Sequence, residues 1–449
     1  PIANRFTAKP MNIRHIASLL ALPKHWYAGG SALQPNSDLC LLCRGMWGEE
    51  SEELLAASGA SLSKSSYHSS PISVEGRSLA HTEGEQGNRG LHPEERALKH
   101  TASSNPCKSE SFRYYELTVE GVDPHILEYL KDTDIATIAF LYKNFVDRSD
   151  EEYFGKNGEY TTIVVSHFEN IRSFWVDREP ILKSSLQPVH LLGVHGTYLD
   201  LDELLELCEI MYAAGNLFNF PRGYHCSDYA SNIQLAIQEL PNGNENPAVT
   251  GQALAGDFYS TNKELQPTRE GYKIFIGDGS LDFIEFVSPV ADIGIGFSLG
   301  HEYCHLVQGD LGILPWGHKP KKMTRDESER AELMCDAMSA YYFAHSDGGN
   351  MTAEDLEFAF QNAAFTGDPV EDGRGYDHGT PGQRRCAAMW GASLAQVENG
   401  WTDDDLPMVG FSELATMFQK DYCLILNGDP SVCPGLLLDV KCTEDAAVE

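Results

Sequence analysis

The chain has 449 residues, of which 42% are hydrophobic, so it can bury a sizeable core in two or three ordinary domains or in one large one. Its formal net charge of -33 argues against nucleic acid and against an anionic membrane surface as partners, because both require clustered Lys and Arg. The sequence has no apolar run of the length that a transmembrane helix needs, so no membrane span is predicted.

Residues 1–110 are predicted to be a poorly ordered leader or linker. Ser, Gly, Glu and His dominate positions 51–104, and no period of 2 or 3.6 residues is sustained there. Residues 1–37 contain Lys and Arg but no Asp or Glu, which is typical of organellar and secretory leaders. A propeptide is a further alternative, and the sequence leaves the localisation open.

Residues 111–270 are predicted to form a helix-rich N-terminal region. Residues 124–146 have the apolar spacing of one or two amphipathic helices, and residues 200–214 and 228–240 have that of two more. Residues 160–166 are rich in β-branched side chains, which is compatible with a strand or with the start of a buried helix.

Residues 271–425 are predicted to be the core that carries the chemistry, followed by a Cys-bearing tail, 426–449. The core opens with two predicted strands, 272–279 and 283–287. The first strand could border a cleft, where an extended peptide adds its own backbone hydrogen bonds, or it could be an ordinary core strand.

Four helices are predicted after these strands in addition to the helix around residues 301–305 that is described below. Capping residues place helix starts at Thr324, Thr352 and Thr380, and apolar residues indicate a short helix at 411–418. The helix after Thr324 is expected to end near Ala344. Together with the strands, these helices predict an α+β fold that is mainly helical.

The sequence His301-Glu302-Tyr303-Cys304-His305 carries the strongest functional signal. On a helix, the two histidines project from one face and can share a metal ion. Glu302 lies on the same side, where it can hold a metal-bound water and accept its proton. The apolar, glycine-rich lead-in at 293–300 favours a helix that enters a packed core, so the segment predicts a zinc site.

A catalytic zinc ion takes three protein ligands and keeps a fourth position for water. The helix after Thr324 presents Glu329, Glu332 and Asp336 on one face. We predict Glu332 as the third ligand and Asp336 as the acceptor that orients a ligand histidine through its other ring nitrogen. Glu329 and His318 are the alternatives for the third ligand.

Between about residues 290 and 400, the chain resembles the neutral zinc metallopeptidase family. The matching blocks are His301-Glu302-x-x-His305 with Val307-Gln308, then Glu332-Leu333-Met334-Cys335-Asp336, then Gly367-Asp368, and last His378-Gly379-Thr380-Pro381-Gly382-Gln383-Arg384. The resemblance implies a zincin-like core with a small sheet over the active-site helix. It also implies Zn2+ bound by His301, His305 and Glu332, with Glu302 as the base. The chain departs from the family at Cys304, where glycine or another small residue is usual.

His378 lies just before the positive end of the helix that Thr380 caps, which favours the neutral imidazole. From there, whether neutral or protonated, it can donate a hydrogen bond to the oxyanion that forms during peptide hydrolysis. Arg384 or Arg385 could do so instead. The alternative for His378 is a role in holding this helix against the core.

The cysteine count of eleven is odd, and the cysteines are scattered. Cys304, Cys335 and Cys386 fall in predicted core helices, where free thiols behave as small buried hydrophobes. Spacing alone cannot fix a disulfide connectivity. The candidate pairs are Cys208 with Cys226, and two of Cys423, Cys433 and Cys442.

The sequence therefore predicts a zinc-dependent metallopeptidase, preferably an endopeptidase, that acts on peptides or proteins through a zinc-bound water activated by Glu302. Two other classes stay open. One is a non-catalytic, zinc-stabilised binding or scaffold protein, and the other is a metallohydrolase whose substrate is not a peptide. Glu302 favours an enzyme, because a structural zinc site needs no base and usually closes with four protein ligands.

Overall fold

Helices and one three-stranded sheet form the part of the chain that the computed structural model describes. The described residues are 110–133, 135–147, 152–186, 188–213, 225–251, 253–260, 268–288, 290–314, 323–368, 378–399 and 409–434. The helices are α1 (Glu110–Thr118), α2 (Pro124–Asp132), α3 (Ile135–Phe145), α4 (Thr161–Arg178), α5 (Leu182–Ser185), α6 (Leu201–Ala213), α7 (Cys226–Gln238), α8 (Asp278–Val287), α9 (Ala291–Asp310), α10 (Arg325–Ala344), α11 (Ala353–Phe365), α12 (Pro381–Asn399) and α13 (Phe411–Leu426). The strands are β1 (Val189–Val194), β2 (Ala253–Ser260) and β3 (Thr268–Gly277).

The prediction of a mainly helical α+β fold is confirmed at this level. Among the described helices, none is long and apolar enough to cross a bilayer. The predicted leader or linker lies outside the described residues up to 109, as do His318 and positions 435–449 of the tail. The division at residue 270 into an N-terminal region and a core stays a prediction.

The sheet has the order β1-β3-β2, with β1 parallel and β2 antiparallel to the central strand β3. Since β3 has a partner on each side, its backbone cannot add a substrate strand, and the core-strand alternative is the correct one. Side chains alternate along β3: Ile274 and Ile276 face the larger hydrophobic cluster, and Phe275 faces the smaller one. The larger cluster includes α9, against which β2 and β3 pack.

The prediction of a second strand at 283–287 is wrong, because these residues form the end of helix α8. Leu281, Ile284 and Val287 are buried and lie three residues apart, which is the spacing of one helix face. This pattern begins before residue 283, so the predicted strand 283–287 contains only part of it. Of the two alternatives for 160–166, the helix is observed, since α4 begins at Thr161.

The other predicted helices are observed close to their expected positions. Thr324 accepts a hydrogen bond from the backbone N–H of Glu327, whose side chain accepts from the backbone N–H of Thr324, so the capping box of α10 is complete. Thr380 and Gln383 make the same reciprocal pair at the start of α12. The helix expected at 411–418 is longer and continues to Leu426 as α13.

Helix α10 lies between α9 and α12, and two glycines permit the close approach. A Cβ atom at Gly300 of α9 would collide with Ser339 Oγ, and one at Gly391 of α12 would collide with the carbonyl oxygen of Ala337. Ser339 Oγ donates a hydrogen bond to the carbonyl oxygen of Phe297, 2.8 Å away, across the α9–α10 contact. The residues of α10 that face α9 are therefore held at a short distance from it.

The expectation of buried free thiols is wrong for three cysteines. Cys304 is paired with Cys335, and Cys386 with Cys433. The partners are 31 and 47 residues apart in sequence, and tertiary packing alone brings them together. The candidate pair Cys208–Cys226 is confirmed.

Candidate metal centre

His301, His305 and Glu332 converge where α9 and α10 cross. His301 Nε2 lies 3.2 Å from His305 Nε2 and 3.1 Å from Glu332 Oε2, and His305 Nε2 lies 3.4 Å from Glu332 Oε1. Within the described residues, this is the one group of His, Cys, Asp or Glu side chains that could hold a metal ion. His301 is buried, whereas His305 and Glu332 are half-buried, so the centre is not sealed from solvent.

A buried carboxylate fixes the His301 ring. The Nδ1–H of His301 donates to Asp336 Oδ1 at 2.9 Å, which turns Nε2 towards the centre. Arg384 donates to both oxygens of Asp336, from Nε at 2.7 Å and from Nη2 at 2.8 Å, and to the carbonyl oxygen of Thr366. Burial alone would raise the pKa of Asp336, but Arg384 and His301 lower it, so the carboxylate is ionised.

A glutamine supports the second histidine. His305 Nδ1 lies 3.0 Å from Gln308 Oε1, and Gln308 Nε2 donates to the carbonyl oxygen of Ala331 on α10. This bond places the Nδ1 proton of His305 towards Gln308 and its Nε2 lone pair towards the centre. Both rings therefore offer Nε2 to a cation, next to a carboxylate.

The charges at the centre suit a divalent cation. Burial raises the pKa of Glu332, but His305, His378 and His301 lower it well below its usual range, so Glu332 is an anion at neutral pH. Burial lowers the pKa of His301, but its bonds to Asp336 and Glu332 outweigh this and raise the pKa to about 9. A cation that binds the two Nε2 atoms and Glu332 therefore takes the place of a proton.

Glu302 belongs to the same electrostatic environment. Burial raises the pKa of its carboxyl group, the charges of His305 and His301 lower it, and the nearby Glu332 raises it again. The net effect is a raised pKa, which suits a carboxylate that must take up a proton and return it near neutral pH.

His378 is paired with an acid whose role the sequence did not reveal. The backbone N–H of His378 donates to Asp368 Oδ2 at 2.9 Å, and its Nδ1 lies 3.3 Å from both carboxylate oxygens. Burial lowers the pKa of His378, but Glu332 and Asp368 raise it to about 9. In the metal-free protein these acids therefore favour the protonated imidazole, whereas the helix end favours the neutral form.

The alternatives for the predicted roles are placed elsewhere. Glu329 lies one turn before Glu332 on α10 and is not part of the converging group. Arg384 faces Asp336, and Arg385 is paired with Glu357 at 2.8 Å, so both guanidinium groups already bind carboxylates. The sequence analysis did not predict the contact of Asp368 with His378 or the pairing of Arg384 with Asp336. All three residues, Asp336, Asp368 and Arg384, lie in the residue blocks that carry the family resemblance, and those blocks could have indicated the contacts.

No family model, curated protein or solved structure matches this chain. The resemblance to neutral zinc metallopeptidases therefore depends on the four residue blocks alone. The chemistry of the centre has to be argued from its own geometry.

The buried Arg384–Asp336 pair leads to a stability prediction. We expect Arg384→Met to lower the free energy of unfolding of the metal-free protein by about 3–5 kcal/mol, because the buried Asp336 carboxylate would lose its two-bonded charged partner and keep only the bond from His301. The matched control is Arg385→Met. That arginine is 25% exposed in its pair with Glu357, so we expect a loss of less than about 1 kcal/mol.

Urea denaturation followed by circular dichroism measures both losses. Equal losses in the two variants would show that the Asp336 carboxylate does not depend on Arg384.

Proposed function

We propose that the protein is a zinc-dependent peptidase with a zincin-like core. The observation that carries the proposal is the convergence of two Nε2 atoms and one carboxylate beside a second carboxylate, Glu302. Imidazole nitrogen and carboxylate oxygen are the donors of catalytic zinc sites, and the supported Nδ1 atoms are typical of their surroundings. His301, His305 and Glu332 would hold the ion.

Glu302 is the proposed general base. Bound zinc supplies a Lewis acid for the scissile carbonyl and lowers the pKa of the attacking water. Glu302 takes the proton of that water and passes it to the leaving amine. In the metal-free protein, burial and the charge of Glu332 raise the pKa of Glu302, which makes the carboxylate a stronger proton acceptor.

His378 is the proposed donor to the oxyanion. Asp368 lies 3.3 Å from its Nδ1, and Glu332 and Asp368 favour the protonated imidazole in the metal-free protein. A protonated imidazole in this position can stabilise the negative charge that develops on the substrate carbonyl oxygen. Asp368 acts through His378 and is a positioning residue.

The competing class, a non-catalytic protein stabilised by zinc, has less support. Structural sites usually close with four protein ligands, and among the described residues only three side chains converge. A structural site also needs no general base, whereas Glu302 is half-buried beside the centre and its pKa is raised.

The direct test of the enzymatic proposal is Glu302→Gln. We expect hydrolysis of an unfolded protein substrate to fall at least about 100-fold, because proton transfer is lost, while one zinc ion per chain is retained. A fluorescent casein assay and elemental analysis measure the two quantities. Glu329→Gln is the control and should keep both activity and zinc. Full activity in Glu302→Gln would exclude this residue as the base.

The ligand assignment is tested by Glu332→Ala. Removing the third ligand should leave less than about a tenth of the zinc content after dialysis, because two imidazoles alone bind the ion weakly. Glu329→Ala, one turn earlier on α10, should keep a full equivalent. If Glu332→Ala keeps its zinc, the third ligand is another residue, such as Glu329 or His318.

The role of His378 is tested by His378→Phe. We expect kcat to fall about 100-fold to 1,000-fold, as for the loss of one oxyanion donor, with zinc content unchanged and KM changed little. Asp368→Asn should give a smaller loss of kcat, because it disturbs the donor without removing it. An unchanged kcat in His378→Phe would leave His378 only the role of holding α12.

A further inference from the structure

A single covalent bond joins the two helices that carry the three ligands. Cys304 lies within the His301–His305 turn of α9, and Cys335 lies within the Glu332–Asp336 turn of α10. Their Cα atoms are 5.2 Å apart, and both side chains are fully buried. The disulfide is therefore built into the crossing of α9 and α10, beside the ligands on both helices.

The disulfide also contacts the histidine whose Nδ1 faces an amide oxygen instead of a carboxylate. His301 is fixed by Asp336, whereas the acceptor for His305 is the neutral amide oxygen of Gln308. Cys335 Sγ lies 3.4 Å from Nδ1 of His305 and packs against this ring. Loss of the cross-link would thus affect the ligand with the weaker support.

The other contacts described between α9 and α10 at the centre are noncovalent. His301 on α9 meets Glu332 and Asp336 on α10 at 3.1 and 2.9 Å, and Gln308 on α9 donates a hydrogen bond to the carbonyl oxygen of Ala331 on α10. The disulfide is the covalent restraint that opposes separation of the two helices.

The other two disulfides found among the described residues serve as internal references. Cys208–Cys226 joins α6 to α7 within the smaller hydrophobic cluster. Cys386–Cys433 joins α12 to the segment after α13. Neither includes a residue of α9 or α10, so their loss should not change the separation of the ligands directly.

We propose that the Cys304–Cys335 disulfide is a positioning cross-link for the metal centre and that zinc binds more tightly when it is formed than when it is reduced. This inference rests on the proposed function. Coupling between two equilibria is reciprocal, so bound zinc must in turn protect this disulfide from reduction.

The redox step is the reduction of this disulfide by a phosphine. The phosphine attacks one sulfur atom and breaks the Sγ–Sγ bond, and phosphorus supplies two electrons as it is oxidised to the phosphine oxide. One water molecule supplies the oxygen atom of the oxide and two protons, so that Cys304 and Cys335 each become a thiol. Because both sulfur atoms are buried, the reductant can react only after α9 and α10 separate locally. A zinc ion that bridges the same helices opposes that separation.

The first test compares zinc affinity in two double variants, measured by competition with a chromogenic chelator. We expect the Kd of Cys304→Ala/Cys335→Ala to rise about 10-fold to 100-fold, the range known for residues that orient metal ligands. Cys208→Ala/Cys226→Ala should keep the wild-type Kd. Both double variants should lower the midpoint of thermal unfolding. If the Cys304–Cys335 disulfide only stabilised the fold, the Kd for zinc would therefore be the same in the two variants.

The second test needs no variant and applies even if the double variant fails to fold. The folded wild-type protein is treated with a water-soluble phosphine, with and without zinc, and the freed thiols are alkylated and located by mass spectrometry. We expect zinc to slow the reduction of Cys304–Cys335 at least about 10-fold, by the reciprocity of coupling. Reduction of Cys208–Cys226 should not depend on zinc.

The outcomes separate this inference from the proposed function. A wild-type protein that binds no zinc contradicts the proposed function. If the wild-type protein binds zinc, two results would contradict only the positioning role of the cross-link. One is an equal Kd for zinc in the folded Cys304→Ala/Cys335→Ala variant, and the other is a rate of reduction of this disulfide that zinc does not change.

Discussion

The structure depends on the close crossing of α9 and α10. Gly300 leaves room for Ser339, and this small-residue contact brings Glu332 within 3.1 Å of His301 and 3.4 Å of His305. A larger side chain at Gly300 would move α10 outward and carry the carboxylate away from the imidazoles. The position of Glu332 beside the two histidines is therefore a consequence of helix packing, whereas the local motif sets the histidine pair.

Helix α12 packs against α10 and supports the centre through Arg384. Gly391 allows α12 to approach α10, and Arg384 on α12 reaches the buried Asp336 that orients His301. Asp368 binds His378, which precedes α12, and the charge of Glu332 acts on the His378 imidazole. His301 is thus fixed by Asp336 on α10, and Asp336 in turn by Arg384 on α12, which is how a site keeps its geometry before its ligand arrives.

Local patterns predicted much of the fold. Capping residues located the starts of α10, α11 and α12, and the His-Glu-x-x-His spacing predicted a histidine pair on one face of a helix. Failures occurred where tertiary packing decides the outcome. Residues 283–287 have strand-like composition yet complete the buried face of a helix, and no spacing rule indicates that Cys304 meets Cys335 or that Arg384 meets Asp336. Glu332 and Asp336 both contact His301, and the choice of Glu332 over Glu329 as a metal ligand stays a prediction.

The central claim is that His301, His305 and Glu332 together bind one zinc ion. A crystal structure of the zinc-loaded protein, with anomalous scattering recorded at the zinc edge, tests it most directly. The account predicts one zinc peak, bonded to both Nε2 atoms at about 2.0–2.1 Å and to a Glu332 oxygen at about 2.0–2.2 Å. A zinc peak at another site, or one at the histidines without Glu332, would contradict it.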